Sequence, residues 1–454
     1  MIGRSTRRPT EWGSPLREAW TTQSMTSPRF AVFAIYVLVA LSMWSPDTDS
    51  VYAGISGPLR YALFISTSVA IMAHTYLVKG IFVSRSPDWM LLIAFLLYTS
   101  LSVLWGDGST GATIKAMLIF SALLVSVSMA NAVGLDRLLR VYYNAMSVFV
   151  VLSLLAVIFF PESSIETGWL LEGDWKGIAG QKNGLGSVAS LVFVAALVLP
   201  VVRRPDRRRL ALSYSVRLAM IVISGLCLVN SGSRGALLAA GIGIASVLVA
   251  KAPRALQRVG LVVLAVLAIP VANLALATVE LSADKIDILG TSIDTNSRTT
   301  LWFYGLEQMT GRELLGFGVG GFWTPERVTA FRDVHGWVLD NFHNGYITIL
   351  IEGGLVGILL LLLSAGFVML LYIVTIGNLR DTYVALAFGY TNMFLIGNLV
   401  ENEIGRSTSL TFIMFLATSF SLRLHLSRVL APIAPGSRAA AAEVKHSPQG
   451  MAPA

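Results

Sequence analysis

The chain has 454 residues, of which 55% are apolar and only 13% charged, with a mean hydropathy of +0.69. Soluble domains carry about a quarter charged residues, so this composition excludes a soluble globular fold and points to an integral membrane protein. A single cysteine, Cys227, excludes a disulfide framework or a thiolate metal site. The formal net charge of +8 is read as membrane orientation and attraction to anionic headgroups.

Residues 1–29 hold Arg4, Arg7, Arg8, Arg17 and Arg29 with no apolar core, the pattern of a cytoplasmic tail before a signal anchor rather than a cleaved signal peptide. A hydrocarbon core of roughly 30 Å takes about 20 apolar residues per helix. Segments of that kind fall near 30–46, 58–78, 88–105, 112–133, 141–160, 184–202, 213–231, 234–250 and 259–279, then near 344–371, 382–399 and 407–424. The expected fold is therefore all-α, a polytopic integral membrane protein with about 12 transmembrane helices and one large extracytoplasmic loop. Helices 1–9 would occupy 30–279, the loop 280–343 and the last three helices 344–424, with 425–454 a disordered cytoplasmic tail rich in Ala, Pro, Gly and Ser. With the N-terminus inside, most of the 34 Lys and Arg fall in cytoplasmic segments. The cluster Arg203-Arg204-Pro205-Asp206-Arg207-Arg208-Arg209 anchors that orientation; it lacks the aromatic and base-reading neighbours that a nucleic-acid partner needs.

Three outward-facing connections carry more than turn residues. Residues 161–183 contain Trp169, Glu172, Asp174, Trp175 and Lys176, then Gln181, Lys182 and Asn183 where the next helix begins. Rings stack on apolar sugar faces and amides bond hydroxyls, so this loop suits a glycan; an interfacial Trp belt with an Asn cap is the structural alternative. Asn230-Ser231-Gly232-Ser233-Arg234-Gly235 interrupts an apolar region barely long enough for two spans, so Arg234 is expected near membrane depth. A cation there costs about 2.5 to 3.5 kcal/mol on insertion scales and normally has a partner or a function. A guanidinium beside the amide donors of a helix start is suited to phosphate, although it can equally bond helix-end carbonyls.

The large loop holds Asn296-Ser297-Arg298, Arg312, the run Leu315-Gly316-Phe317-Gly318-Val319-Gly320-Gly321, His335 and finally His343-Asn344-Gly345-Tyr346. The glycines are not a dinucleotide loop, because no strand and helix of an α/β unit flank them. His343, at the mouth of a span beside Asn344 and Tyr346, is a candidate general base. Glu352 lies nine residues on, on the opposite face of the helix from His343, and is a candidate as an acid buried in a span. Glu401, Asn402, Glu403 and Arg406 form a further polar cluster in the last external turn. A competing enzyme logic would use Asp47-Thr48-Asp49 to hold a divalent ion. A lipid-linked glycan transporter or flippase is the non-enzymatic alternative, but no internal repeat is visible and the candidate charges lie toward one face.

Taken in order, Ser233-Arg234-Gly235, Ser297-Arg298 with Trp302, Leu315-Gly316-Phe317-Gly318, His343-Asn344-Gly345-Tyr346 and Glu352-Gly353-Gly354-Leu355-Val356-Gly357 resemble the O-antigen ligase and polysaccharide polymerase superfamily, including exopolysaccharide polymerases of the Wzy type. The resemblance implies glycosyl transfer without a metal or cofactor on the outer face of a bacterial inner membrane. The donor would be a polyprenyl-diphosphate-linked oligosaccharide and the acceptor a hydroxyl on a glycan or on lipid A core. It also implies that Arg234 and Arg298 hold the donor diphosphate and that His343 activates the acceptor. Lys182, Asn183, Asn344, Tyr346, Glu352 and Glu401 are the expected substrate-binding residues. A flippase and a chain-length regulator are the protein partners such a system implies. Polymerases of this class often have arginine-rich external loops, whereas 161–183 has lysines and no arginine, so ligase and polymerase both stay open.

Overall fold

The computed structural model describes residues 29–43, 53–106, 108–167, 172–200, 207–257, 260, 285–288, 291–294, 298–335, 341–379, 381–404, 406 and 408–429. Helices dominate in the order α1 (Arg29–Met43), α2 (Ala53–Lys79), α3 (Pro87–Leu101), α4 (Thr110–Ala132), α5 (Leu135–Phe159), the single turn α6 (Pro161–Ser164), α7 (Lys182–Val198), α8 (Arg207–Asn230) and α9 (Arg234–Lys251). Then come α10 (Arg298–Glu307), α11 (Pro325–His335), α12 (Gly345–Leu379), α13 (Thr382–Gly397) and α14 (Leu410–Val429). A short antiparallel pair, β1 (Lys285–Ile288) and β2 (Thr291–Asp294), precedes α10.

Eight of the described helices are long and apolar enough to cross a membrane, and α1 and α7 are apolar but shorter. Described helices overlie every expected span except 259–279, which lies outside the described residues apart from Gly260. Asp47-Thr48-Asp49 and Trp169 also lie outside them. Boundaries differ where a helix continues past its apolar stretch. Thus α5 starts at Leu135 with Asp136, Arg137 and Arg140 in its opening turns, and α14 extends to Val429, shortening the expected tail. Hydropathy registers the hydrocarbon-matched part of a helix, not its polar ends.

α13 is the central helix: every residue from Val384 to Phe394 is buried, and it packs against α9. Buried hydroxyls turn back onto their own helices, as in Ser68 to Phe64 O, Thr99 to Phe95 O, Thr375 to Leu371 O and Thr418 to Met414 O. That satisfies polar groups where no water reaches them. At the end of the bundle opposite His343, Asp88 on α3 pairs with Arg423 on α14, and His425 lies 3.0 Å from Asp381, the N-cap of α13.

The expected large loop is folded in its described part. Leu301 and Trp302 of α10, Phe331 of α11, the connecting Phe317 and Phe322, and Phe342 and Ile351 make a second, separate hydrophobic cluster. Arg312 and Arg327 lie over the Phe317 ring at 4.7 and 4.6 Å. This aromatic unit sits on the first turns of α12 and carries the segment that ends in His343.

Candidate functional site

His343 is held from both sides. Before it, Phe342 is fully buried in the aromatic cluster and its carbonyl accepts from Trp302 Nε1 at 2.7 Å. After it, Asn344 caps α12: its Oδ1 accepts from Tyr346 N and Ile347 N at 2.9 and 3.1 Å, and its Nδ2 donates to Leu399 O. Between these anchors His343 adopts φ +49°, and its amide donates to Asn341 Oδ1 at 3.0 Å. It is the only non-glycine residue with positive φ among the described residues. A left-handed conformation at such a residue costs energy and persists where surrounding contacts dictate it, commonly at functional sites.

Glu401 supplies the other half, from the connection between α13 and α14. The Gly345 amide donates to both Asn398 O (2.8 Å) and Glu401 O (3.1 Å), which ties that connection to the start of α12. The Glu401 carboxylate receives a hydrogen bond from Asn183 Nδ2 at 3.2 Å, lies 3.9 Å from Arg298 Nη2 and 4.0 Å from His343 Nδ1. Burial works to raise the Glu401 pKa, but the His343 imidazole and the charges of Arg298 and Arg406 outweigh it and hold the carboxyl below the usual range. His343 Nδ1 is buried and makes no direct hydrogen bond, so a contraction of the 4.0 Å gap would satisfy it with Glu401. Catalytic hydrogen bonds are often long before substrate binds.

Arg298 opens α10, and its Nη1 also donates to Val400 O. Arg234 opens α9 one residue after the N-cap Ser233; it is exposed and, among the described residues, makes no hydrogen bond or ion pair. Its neighbour Gly235 faces Val400, with a Cβ built there lying 3.5 Å from Val400 Cγ2. The Ser233-Arg234-Gly235 turn and Arg298 therefore meet the same Val400-Glu401 wall from two helix starts. Loop 161–181 braces this arrangement: Trp175 N donates to Asn230 O at 2.8 Å, and a Cβ at Gly232 would fall within 2.6 Å of the Asp174 carboxylate.

His343, Asn183, Glu401 and Arg406 line a cavity of about 900 Å³, large enough for an oligosaccharide portion. Its far wall carries Arg60 of α2 and Lys115 of α4, neither singled out from the sequence. The signal for Lys115 was present, as a lysine within an apolar span. A narrower, largely apolar pocket adjoins the cavity, sharing Asn183, Ser187, Glu401, Glu403 and Thr411 with it.

Other expected residues are placed differently. Lys182 Nζ is 2.5 Å from Asp174 Oδ2, so its charge is spent on the loop brace. Asn344 is buried with its amide committed to capping, and the Tyr346 hydroxyl donates to Leu395 O at 2.7 Å. The polar atoms of all three are engaged within the fold. Glu352 is buried and receives hydrogen bonds from Lys115 Nζ at 2.9 and 3.0 Å. Arg312 stacks on Phe317 and His335 on Phe331, so neither joins the cluster.

Residues 219–362 match the family model described as O-antigen ligase. The matched stretch contains Arg234, Arg298, His343 and Glu352, while Asn183, Lys115 and Glu401 come from outside it. No curated protein matches the chain.

Proposed function

We propose that this chain, a multi-span membrane protein whose residues 219–362 match the O-antigen ligase family model, transfers a glycan from a polyprenyl diphosphate to a hydroxyl acceptor. The observation that carries the proposal is the convergence of Arg298, Asn183 and His343 on Glu401 at the edge of the cavity. The twelve-crossing topology, with this site on the extracytoplasmic face of a bacterial inner membrane, belongs to the same reading.

In this reading the acceptor oxygen bonds to the anomeric carbon as the bond from that carbon to the diphosphate oxygen breaks. His343 Nε2 takes the acceptor's proton, and polyprenyl diphosphate departs. Glu401 closes on Nδ1–H, which presents the basic nitrogen to the acceptor and stabilises the imidazolium that forms. Charge grows on the diphosphate as the bond breaks, and guanidinium donors match its oxygens in paired geometry. Arg298 and the exposed Arg234 take that role. A general base supplies about 10²- to 10⁴-fold in such steps, with positioning and charge stabilisation supplying the rest.

The test is the size distribution of surface and lipid-linked glycan in a deletion strain complemented with wild type or His343→Ala. Single repeat units left on lipid or core identify a polymerase; full-length chains stranded on the polyprenyl carrier identify a ligase. Normal glycan with His343→Ala, at normal protein levels, would remove the catalytic reading.

A further inference from the structure

α12 is a 35-residue helix broken at Gly354, where φ is +62° and ψ −165°. The break releases backbone groups that a continuous helix would pair internally, and lipid cannot satisfy them. The segment Glu313–Gly318 does so instead. Phe317 N donates to Ile351 O (3.0 Å) and Gly318 N to Glu352 O (2.8 Å), while Leu355 N donates to Glu313 O (2.8 Å) and Val356 N to Leu314 O (3.2 Å). The two backbones touch: a Cβ at Gly354 would lie 2.3 Å from Leu314 O, and one at Gly316 2.6 Å from Gly354 N. Both positions have positive φ, so glycine is required on each side.

The depth of this junction follows from helix length. From Gly354 to Leu379 α12 runs about 37 Å at 1.5 Å per residue, already enough to cross a hydrocarbon core of about 30 Å. The residues after the break thus suffice for a crossing, which lets the break sit at one membrane boundary. Trp105, ending the turn after α3, donates its Nε1 to Leu315 O at 3.1 Å, and indole rings concentrate at that same boundary. Around the junction the apolar side chains stay uncovered by protein: Leu314 is 61% exposed and Leu315 43%, continuous with Leu101, Leu104 and Leu355 on the flanking spans. Arg312, exposed, stands just before them.

We propose that Arg312–Gly318 is an interfacial wedge whose partner is the bilayer itself. Leu314 and Leu315 sit among acyl chains just beneath the headgroups of the leaflet on the His343 side, with Arg312 at headgroup level. Two exposed leucines on a polar connection are otherwise an aggregation liability, whereas burial of apolar side chains at the headgroup boundary is favourable. Because Phe317 is also a member of the aromatic cluster, the wedge fixes the unit that carries His343 against the membrane. The inference stands on backbone pairing and exposure, independently of the glycosyl-transfer reading.

The test is hydroxyl-radical footprinting of the unmodified full-length protein in nanodiscs of phosphatidylethanolamine and phosphatidylglycerol. Leu314 and Leu315 should be protected to the extent of Leu355, while Val334, 77% exposed on α11, is oxidised. Oxidation of Leu314 and Leu315 at the rate of Val334 overturns the wedge. Protection by a second copy is separated from protection by lipid with an environment-sensitive dye at Leu314→Cys in a Cys227→Ala background. A lipid carrying a nitroxide near the head of its acyl chain should quench that dye, and aqueous iodide should not. The reverse, with the pattern of Asp333→Cys as the water-exposed control, overturns the proposal.

Discussion

Glu401→Gln is the most direct probe of the site, because it keeps the shape and the Asn183 contact while removing the charge. In the proposed reaction an imidazolium forms 4.0 Å from the Glu401 carboxylate, whose side chain is 18% exposed. At an effective dielectric near 20, two unit charges at that separation attract by about 4 kcal/mol, an upper limit. Allowing for partial solvation and for Arg298 already drawing on the same carboxylate, about 1.4 to 2.7 kcal/mol is lost, or about 10- to 100-fold in kcat. The amide can also hold the wrong imidazole tautomer, which deepens the loss without changing acceptor affinity. The assay is transfer from a purified lipid-linked donor in proteoliposomes, with kcat and KM for the acceptor measured separately and thermal stability as a control. A kcat within twofold of wild type, with folding intact, refutes the pairing of Glu401 with His343. The pH dependence has a defined sign. The folded Glu401 pKa is depressed, so its stabilising contribution is present above the unfolded value and lost as pH falls through the folded one. Arg406→Ala removes one cause of the depression, and acid unfolding followed in detergent should move to higher pH.

Three further outcomes are expected. Asn344→Ala deletes the cap of α12 and should lower stability by about 1 kcal/mol, read as a reduced melting temperature; an acceptor KM effect at unchanged stability would instead restore a substrate-binding role. Arg423→Ala leaves the buried Asp88 without its partner at the opposite end of the bundle. Thermal unfolding should show a loss of about 1 to 3 kcal/mol, reduced from the roughly 3 to 5 expected of a fully buried pair because Arg423 is 34% exposed, and Asp88→Asn in the same chain should recover part of it. Gly354→Ala combines a disfavoured φ with a backbone clash at Leu314 O, so it should cost at least about 1 to 3 kcal/mol and loosen the aromatic unit, read by limited proteolysis around residues 311–324.

A helical membrane protein and the positions of its apolar segments are legible in the amino-acid order alone, because burial in lipid demands an apolar composition that can be counted residue by residue. Arg234, Arg298 and His343 are legible there as candidates, since cations and a histidine stand out against apolar surroundings and their order resembles a known superfamily. What these residues meet depends on how distant parts of the chain pack. Asn183 and Glu401 are 218 positions apart and bond across the fold, and no periodicity reports such a contact. The same applies to Glu352, whose partner Lys115 comes from a helix 237 positions earlier. Lys182, Asn344 and Tyr346 read as ligand-facing from their neighbourhoods, but their polar atoms close onto Asp174, Leu399 and Leu395. A side chain's type sets which bonds it can make, and packing sets which of them remain for a substrate. The break at Gly354 is of the same kind: Gly353-Gly354 is visible in the chain, yet the carbonyls of Ile351 and Glu352 and the amides of Leu355 and Val356 find partners only because residues 313–318 fold back onto them.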